Sequence, residues 1–379
     1  MSRRGRGEGS IWRRGDGRWE GRVDFGWSAG KRKHMSVYGK TRAEVARQMM
    51  ALLRAREAGM TAGGSSQLLG DYLKAWLRSI EGSVRPKTLQ TIQMYVRRHL
   101  IPDLGKVRLG KLQPQRVQAL LDAKLKSGLA PQSVVHIRAI LRRALGRAMR
   151  YGWLYRNVAT LTDPPRVERF EIKPFTPQEA RAFLEAARQD DLEALYKLAL
   201  STGLRQGELL GLKWEDVDLD KAELRVNHAL QRYGGALHLV PPKTPRSRRS
   251  VPIPALAVEA LRQLRSRQRD ARLLAGSLWR ETGLVFTTRW GTPIEPRNAT
   301  RSFKRLLARA ALRPMRFHDL RHSCATLLLV QGVSPRVVME ILGHSQINVT
   351  MNTYSHVLPA MQREAAARLD ELLTGEAAP

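Results

Sequence analysis

Hydrophobic and polar positions change rhythm twice along this chain. The first stretch holds short aromatic and β-branched runs, GSIWRRGDGRWEGRVDF and KRKHMSVYG, interrupted at residues 15–17 (GDG) and 28–30 (SAG). Runs of this kind parted by Gly-rich breaks predict strands joined by hairpin turns. A helix is expected next: Thr41 stands three residues before Glu44 in capping-box spacing, and AEVARQMMALLRARE continues without Pro or Gly. Residues 1–60 therefore read as a small three-stranded sheet plus one helix. GMTAGGSSQ, at 59–67, has linker composition.

Residues 68–165 read as helices: LLGDYLKAWLRSI, PKTLQTIQMYVRRHLIPDLG, QPQRVQALLDAKLKSG and SVVHIRAILRRALGRAMRYGWL. In the last, Val135, Ile137, Ile140, Leu141, Leu145 and Met149 approach i, i+3, i+4 spacing, while Arg138, Arg142, Arg143, Arg147 and Arg150 interleave. One stripe should pack and the other face phosphate. A Pro- and charge-rich linker follows at 163–174. Beyond it Thr176 caps a helix with Pro177 in its first turn. DLEALYKLALSTG continues the helical pattern, AELRVNHAL, ALHLVPP, SRRSVPI and LVFTT predict strands, and PRNATRSFKRLLARAAL returns to helix. The expected fold class is mainly α with small β elements (α+β). It comprises three domains: a sheet with a helix at 1–60, a helical domain at 68–165, and a mixed, mainly α domain with a β-hairpin at 170–379.

Charge narrows the class of partner. The chain has 379 residues, 42% of them hydrophobic, and carries 66 Lys plus Arg against 34 Asp plus Glu, a formal net charge of +32. Such an excess repels itself unless a polyanion offsets it. It is also spread: residues 1–66 hold 15 basic and 6 acidic side chains, 67–165 hold 18 and 5, and 166–379 hold 33 and 23. Every segment is thus expected to touch nucleic acid phosphate, with strongly salt-dependent binding. Candidate contacts are Arg13, Arg14, Arg18, Arg22, Lys31, Arg32 and Lys33 on or beside the first strands, Arg138, Arg142, Arg143 and Arg147 on the long helix, and Arg246, Arg248 and Arg249 in a basic turn. A single cysteine, Cys324, excludes an intramolecular disulfide or a multi-cysteine zinc site. Nothing approaches the ~18 consecutive apolar residues of a membrane span. A cytoplasmic, nucleoid-associated protein with no membrane partner is expected.

Candidate chemistry gathers in TGLRQGELLGLKW (202–214), PPKTPRSRRSVPI (241–253), HDLRHSCATLLL (318–329) and LGHSQINVTMNTYSHV (342–357). A phosphodiester repels nucleophiles, so transfer requires positive groups on its oxygens, a nucleophile, and an acid for the leaving oxygen. Arg205, Arg321, His318 and His344 could supply the first. Arginine presents planar paired donors and stays protonated, and His318 and Arg321, three apart, share a helix face. Tyr354 is the candidate nucleophile; a phenol of pKa ~10 requires a proton acceptor, for which His318 is the candidate. Glu208, three residues after Arg205, either braces that arginine or makes a surface ion pair. His322 is expected to buttress the site by hydrogen bonding. A zinc site at His318 and His322 lacks a third nearby ligand, and Cys324 reads as a small core residue.

These patterns, in this order and at these separations, resemble the tyrosine recombinase or phage-integrase family. The resemblance extends residue by residue over the last domain and by character alone over 68–165. It implies a site-specific recombinase that forms a 3′-phosphotyrosyl bond at Tyr354 and frees a 5′-hydroxyl, with no metal and no cofactor. Lys243 takes the family's general-acid position, where neighbouring cations such as Arg246 would lower its pKa. The N-terminal sheet points to a lambda-like integrase: 1–60 for arm-type sites, 68–165 for core DNA, 170–379 for catalysis on double-stranded attachment sites, serving a phage or other mobile element. A C-terminal helix at 359–373, with Met361, Ala365, Leu369, Leu372 and Leu373 on one face, must bury that stripe, either within its own subunit or, as the resemblance implies, on a neighbouring protomer of a homotetramer on DNA. A host DNA-bending protein and an excision (directionality) factor are the further partners implied. A non-catalytic DNA-binding protein on the same scaffold, a chromosome or plasmid dimer resolvase, and a type IB topoisomerase remain as alternatives.

Overall fold

The computed structural model of the protein describes residues 9–28, 31–57, 66–168, 172–188, 190–242 and 248–343, with 366, 370 and 373. Lys243, Arg246, His344, Tyr354 and all but residues 366, 370 and 373 of the 359–373 helix lie outside the described residues. The chain divides into two compact units, Met1–Arg169 and Phe170–Pro379. The division falls within the linker-like stretch 163–174.

The first unit opens with β1 (Ser10–Arg13), β2 (Trp19–Ser28) and β3 (Lys31–Gly39), an antiparallel sheet in that order. Gly17, at φ 81°, makes the first turn. Helix α1 (Arg42–Glu57) follows, with Thr41 Oγ1 accepting from the Glu44 amide at 3.2 Å and the Glu44 carboxylate accepting from the Lys40 amide at 3.0 Å. Val45 and Met49 press α1 onto the sheet so closely that a Cβ at Gly21 would lie 2.6 Å from Val45 Cγ1. The glycine is what lets this small core close.

Among the described residues, five α-helices follow in that unit: α2 (Leu69–Ile80), α3 (Pro86–Tyr95), a short α4 (Ile101–Leu104), α5 (Pro114–Lys126) and α6 (Pro131–Arg150). Proline opens α3, α5 and α6, where an amide hydrogen has no helical acceptor anyway. The run expected as one helix from Pro86 to Gly105 is interrupted by a π-turn at Val96–Leu100. Pro102 has no amide hydrogen for the carbonyl four residues back, and a widened turn accommodates the misfit. Along α6 the buried positions are Val134, Ile137, Leu141, Ala144, Leu145 and Ala148, whereas Met149, expected in the stripe, is 37% exposed.

The second unit contains α7 (Pro177–Ala187), α8 (Glu193–Thr202), α9 (Gln206–Leu210), strands β4 (Val217–Asp218), β5 (Glu223–Arg225), β6 (Ala229–Tyr233), β7 (Ala236–Val240) and β8 (Ser250–Pro252), then α10 (Ala255–Ala275), α11 (Pro296–Arg309), α12 (Asp319–Val330) and α13 (Pro335–Leu342). The α7 capping box is complete, Thr176 with Glu179. The core is aromatic: Phe183 meets Phe175, Tyr196 and Phe303, with ring centroids 5.4, 5.6 and 5.7 Å apart, and Phe303 meets Phe317 at 5.4 Å. Burying each ring contributes ~1.5–3 kcal/mol.

Two strand expectations are corrected here. AELRVNHAL is not one strand: β5 pairs with β8 and β6 with β7 in separate sheets. Asn227 between them donates to Asp216 at 2.7 Å, a side-chain bond that turns the chain from one sheet to the other. LVFTT makes only isolated bridges, Lys213 to Leu284 and Thr287 to Pro293, and Pro293 has no amide with which to extend a ladder. The fold is otherwise the helix-dominated α+β arrangement expected.

Candidate active site

The site grows from two helix ends capped by glycine. Helix α8 finishes at Thr202 and turns through Gly203, at φ 62°; α13 finishes at Leu342 and turns through Gly343, at φ 66°. Both conformations are left-handed, where a side chain is strained. Gly203 is needed for space as well, since a Cβ there would lie 2.4 Å from Leu342 Cδ2. The two helix ends are therefore seated against each other.

Arg321, on the first turn of α12, locks this junction. Its Nη1 donates to the Gly203 carbonyl and its Nη2 to the Leu342 carbonyl, both at 2.7 Å, and the residue is only 2% exposed. A cation on the carbonyl ends of two helices is favoured by their dipoles, and each charge-assisted bond contributes ~1.5–3 kcal/mol. The neighbouring turn is tied to the loop before α7: the Phe175 amide donates to Ser323 Oγ, which donates to the Asp319 carbonyl, each at 2.9 Å.

Arg205 is the residue that introduces α9, two positions after Gly203. Its Nη1 donates to Glu208 Oε1 at 2.7 Å and its amide to Glu208 Oε2 at 3.1 Å. The Arg205 side chain is 39% exposed and Glu208 only 5%, so a ligand can reach the arginine but not its brace. Burial would push the Glu208 carboxyl up, yet the charges of Arg249 and Arg205 and the Arg205 hydrogen bonds outweigh it and hold the group below the ordinary range. The open choice between brace and surface pair is thus decided for the brace.

His318 lies exposed at the N-terminal end of α12, one turn before His322, with ring centroids 5.3 Å apart and nearly perpendicular. Protein packed behind His318 desolvates its imidazole and lowers its pKa, and Arg321 and Arg205 add to the effect. Desolvation, followed by the charge of His318, lowers His322 to about 4. Both rings are neutral at neutral pH, the state in which an imidazole accepts a proton. Burial pushes the Cys324 thiol up to about 12, so it remains a protonated core group.

Arg205, Glu208, His318, His322 and Arg321 thus come together. Lys243, His344 and Tyr354 are carried by segments whose anchors are described: β7 and β8 flank the first, and α13 with Gly343 precedes the other two. Sequence reasoning missed Gly203 and Gly343, although both stand just past a helical run, where a C-cap glycine is expected.

Arg249 is a correction. Expected as a DNA contact in the basic turn, its side chain is 8% exposed, and it pairs with Glu208 at 3.3 Å and donates from Nε to the Ile341 carbonyl at 2.7 Å. A carboxylate 41 residues away in sequence draws it inward. Arg248 beside it is exposed. Among the other candidate contacts, Arg14 and Arg22 pair with Glu20 and lie over Tyr38 and Trp12, Arg18 pairs with Asp16, and Arg13 is exposed. Lys31, Arg32 and Lys33 are in β3. On α6, Arg138 donates to Thr162 Oγ1 at 2.9 Å and holds the segment after the helix, and Arg147 donates to Tyr151 at 2.8 Å. Arg142 and Arg143 are exposed.

An exposed arginine braced from below, with a neutral imidazole beside it, suits a substrate carrying phosphate and requiring a proton acceptor. Comparison with known proteins points the same way. Residues 173–361 match the model of the phage integrase family, and residues 68–125 match the phage integrase N-terminal SAM-like domain. A XerC-like tyrosine recombinase of Caldanaerobacter subterraneus subsp. tengcongensis is 32% identical over 365 residues, covering 90% of this chain and 93% of that protein. An integrase of Saccharopolyspora erythraea is 30% identical over 426 residues, covering 97% of each. Among solved structures, the Tn1549 transposon integrase in complex with transposon right end DNA aligns with a TM-score of 0.69 at 21% identity, covering 80% of this chain and all of that one. A lambda integrase tetramer bound to a Holliday junction aligns with a TM-score of 0.56 at 20% identity, covering 89% and 95%.

Proposed function

The chain belongs to the phage integrase family of tyrosine recombinases, enzymes that cleave and rejoin DNA strands, and we propose that Arg205 and His318 meet the scissile phosphate in its active site while Arg321, buried beneath them with its Nη groups on two carbonyls, contributes its charge. The observation that carries this is the convergence of α8, α9 and α12 on one junction, where a buried carboxylate presents an accessible arginine beside a neutral histidine.

In the proposed reaction Tyr354 Oη bonds to phosphorus as the bond from phosphorus to the 5′-oxygen breaks. The phenolic proton passes to His318, and Lys243 protonates the departing 5′-oxygen. Arg205, Arg321 and His344 stabilise the charge that develops on the phosphoryl oxygens, an effect for which one lost donor costs ~10²–10³ in rate. Phosphodiester energy is conserved in the 3′-phosphotyrosyl bond, so a 5′-hydroxyl from a second strand reverses the step without a nucleotide cofactor.

The three-domain reading places arm-type DNA on 1–60, core DNA on 68–165 and catalysis on 170–379. A tetramer on double-stranded attachment sites, joined through the 359–373 helix, would integrate or excise a phage or other mobile element, aided by a host DNA-bending protein and an excision factor. Among the described residues no helix is long and apolar enough to cross a membrane, and a nucleoid-associated place in the cytoplasm follows from this reading. Nicked DNA bearing the core site should trap a covalent adduct with the full chain and none with Tyr354→Phe. An adduct formed by that variant would refute the assignment of the nucleophile.

A further inference from the structure

We infer that Arg249 is a positioning residue, a buried link that sets the Arg205 guanidinium and the start of the His344 segment in one geometry. The inference rests on the reading of Arg205 as a phosphate ligand and extends it to a side chain that touches no substrate.

The backbone of Arg249 is held first. Its carbonyl accepts from the Val226 amide at 2.9 Å, beside the pairing of β5 with β8. From that fixed point the side chain reaches two elements. Nη2 donates to Glu208 Oε2 at 3.3 Å, the same oxygen that takes the Arg205 amide at 3.1 Å, while the other oxygen takes Arg205 Nη1 at 2.7 Å. Nε donates to the Ile341 carbonyl at 2.7 Å, in the last turn of α13. The guanidinium also packs against Gly343, where a Cβ would stand 2.9 Å from Nη1 and 3.1 Å from Cζ.

One planar group therefore meets the brace of Arg205 and the residue directly before His344, and it ends the loop that carries Lys243. Geometry explains why arginine is used. Lysine offers a single nitrogen and cannot keep donors on both Glu208 and Ile341 in fixed directions. Charge matters too: with Arg249 removed, the Glu208 carboxylate answers to Arg205 alone, which draws that guanidinium inward and leaves less of it for a phosphate. Small displacements of such a donor cost on the order of 10²-fold in rate.

The test uses the full chain and nicked core-site DNA in single-turnover cleavage, with DNA affinity and thermal unfolding measured in parallel. Arg249→Met should lower the cleavage rate ~100-fold while affinity stays within about threefold of wild type, and Arg249→Lys should lose ~10-fold. A second substrate, carrying an uncharged methylphosphonate at the scissile position, separates positioning from simple support of the fold. It asks less of Arg205, so the gap between wild type and Arg249→Met should shrink to below ~10-fold. Equal losses on both substrates, or cleavage of the charged substrate at the wild-type rate, would overturn the inference while leaving the recombinase reading intact. Should Arg249→Met fail to fold, the same comparison on Arg249→Lys decides the matter. If wild type itself forms no adduct, the reading of the site falls and the role of Arg249 falls with it.

Discussion

Replacing Gly203 with alanine adds one carbon at the point where α8 and α13 meet, and the structure sets the cost of it. The position has φ 62°, and the added Cβ would lie 2.4 Å from Leu342 Cδ2 and 3.4 Å from Cys324 Sγ, both on buried residues. Left-handed backbone with a side chain costs ~1–2 kcal/mol, and an extra carbon in packed surroundings ~1–3 kcal/mol. The total, ~2–5 kcal/mol, would lower the calorimetric transition of the second unit by roughly 4–20 °C, given about 2–4 °C per kcal/mol at this size. Gly203 and Leu342 also supply carbonyl partners of Arg321, so cleavage should suffer even below the transition. A double variant with Leu342→Ala isolates the clash. If α8 and α13 touch as described, Gly203→Ala should cost ~1–3 kcal/mol less in the Leu342→Ala background than alone. Additivity of the two losses within ~0.5 kcal/mol would refute the contact.

His322 should make stability pH-dependent: its folded pKa, about 4, lies below the ordinary 6.5, so the unfolded chain binds the proton first. That contribution is complete above about 6.5 and is lost as pH falls towards about 4, by no more than ~3 kcal/mol. His322→Gln should flatten the stability profile over that window, and an unchanged slope would contradict the assignment. Arg142 and Arg143, exposed on α6, should bind phosphate through charge alone; changing both to Gln should reduce the salt dependence of DNA binding by roughly two in the log–log slope. Saturating DNA should restore the cleavage rate of that double variant, and a rate that stays low would place these residues elsewhere in the mechanism.

Much of the molecule was legible from local signals. The Thr41 and Thr176 caps, the prolines that open helices, and the Gly-rich turn between β1 and β2 all act through bonds between near neighbours, which a linear pattern records. The helix expected from Pro86 does run to Leu104, widened by a π-turn before Pro102, whereas AELRVNHAL was parted by the bond from Asn227 to Asp216. A period of hydrophobic positions reports which face is buried but not where a single polar side chain redirects the chain.

The same limit governs the site. Residue types and their spacing determined by themselves the kind of chemistry, because phosphate transfer requires arginines, a proton acceptor and a nucleophile whatever the packing. Only the tertiary structure decided which basic groups face outward. Arg249 and Arg248 are adjacent and alike in sequence, yet one is buried and the other exposed, because Glu208, 41 residues earlier, is within reach of the first. Arg321 turns inward for a similar reason: carbonyls at Gly203, 118 residues away, and at Leu342 converge on it. Burying a charge is costly unless partners meet it, and partners that arrive from distant helices can be identified only once those helices are packed.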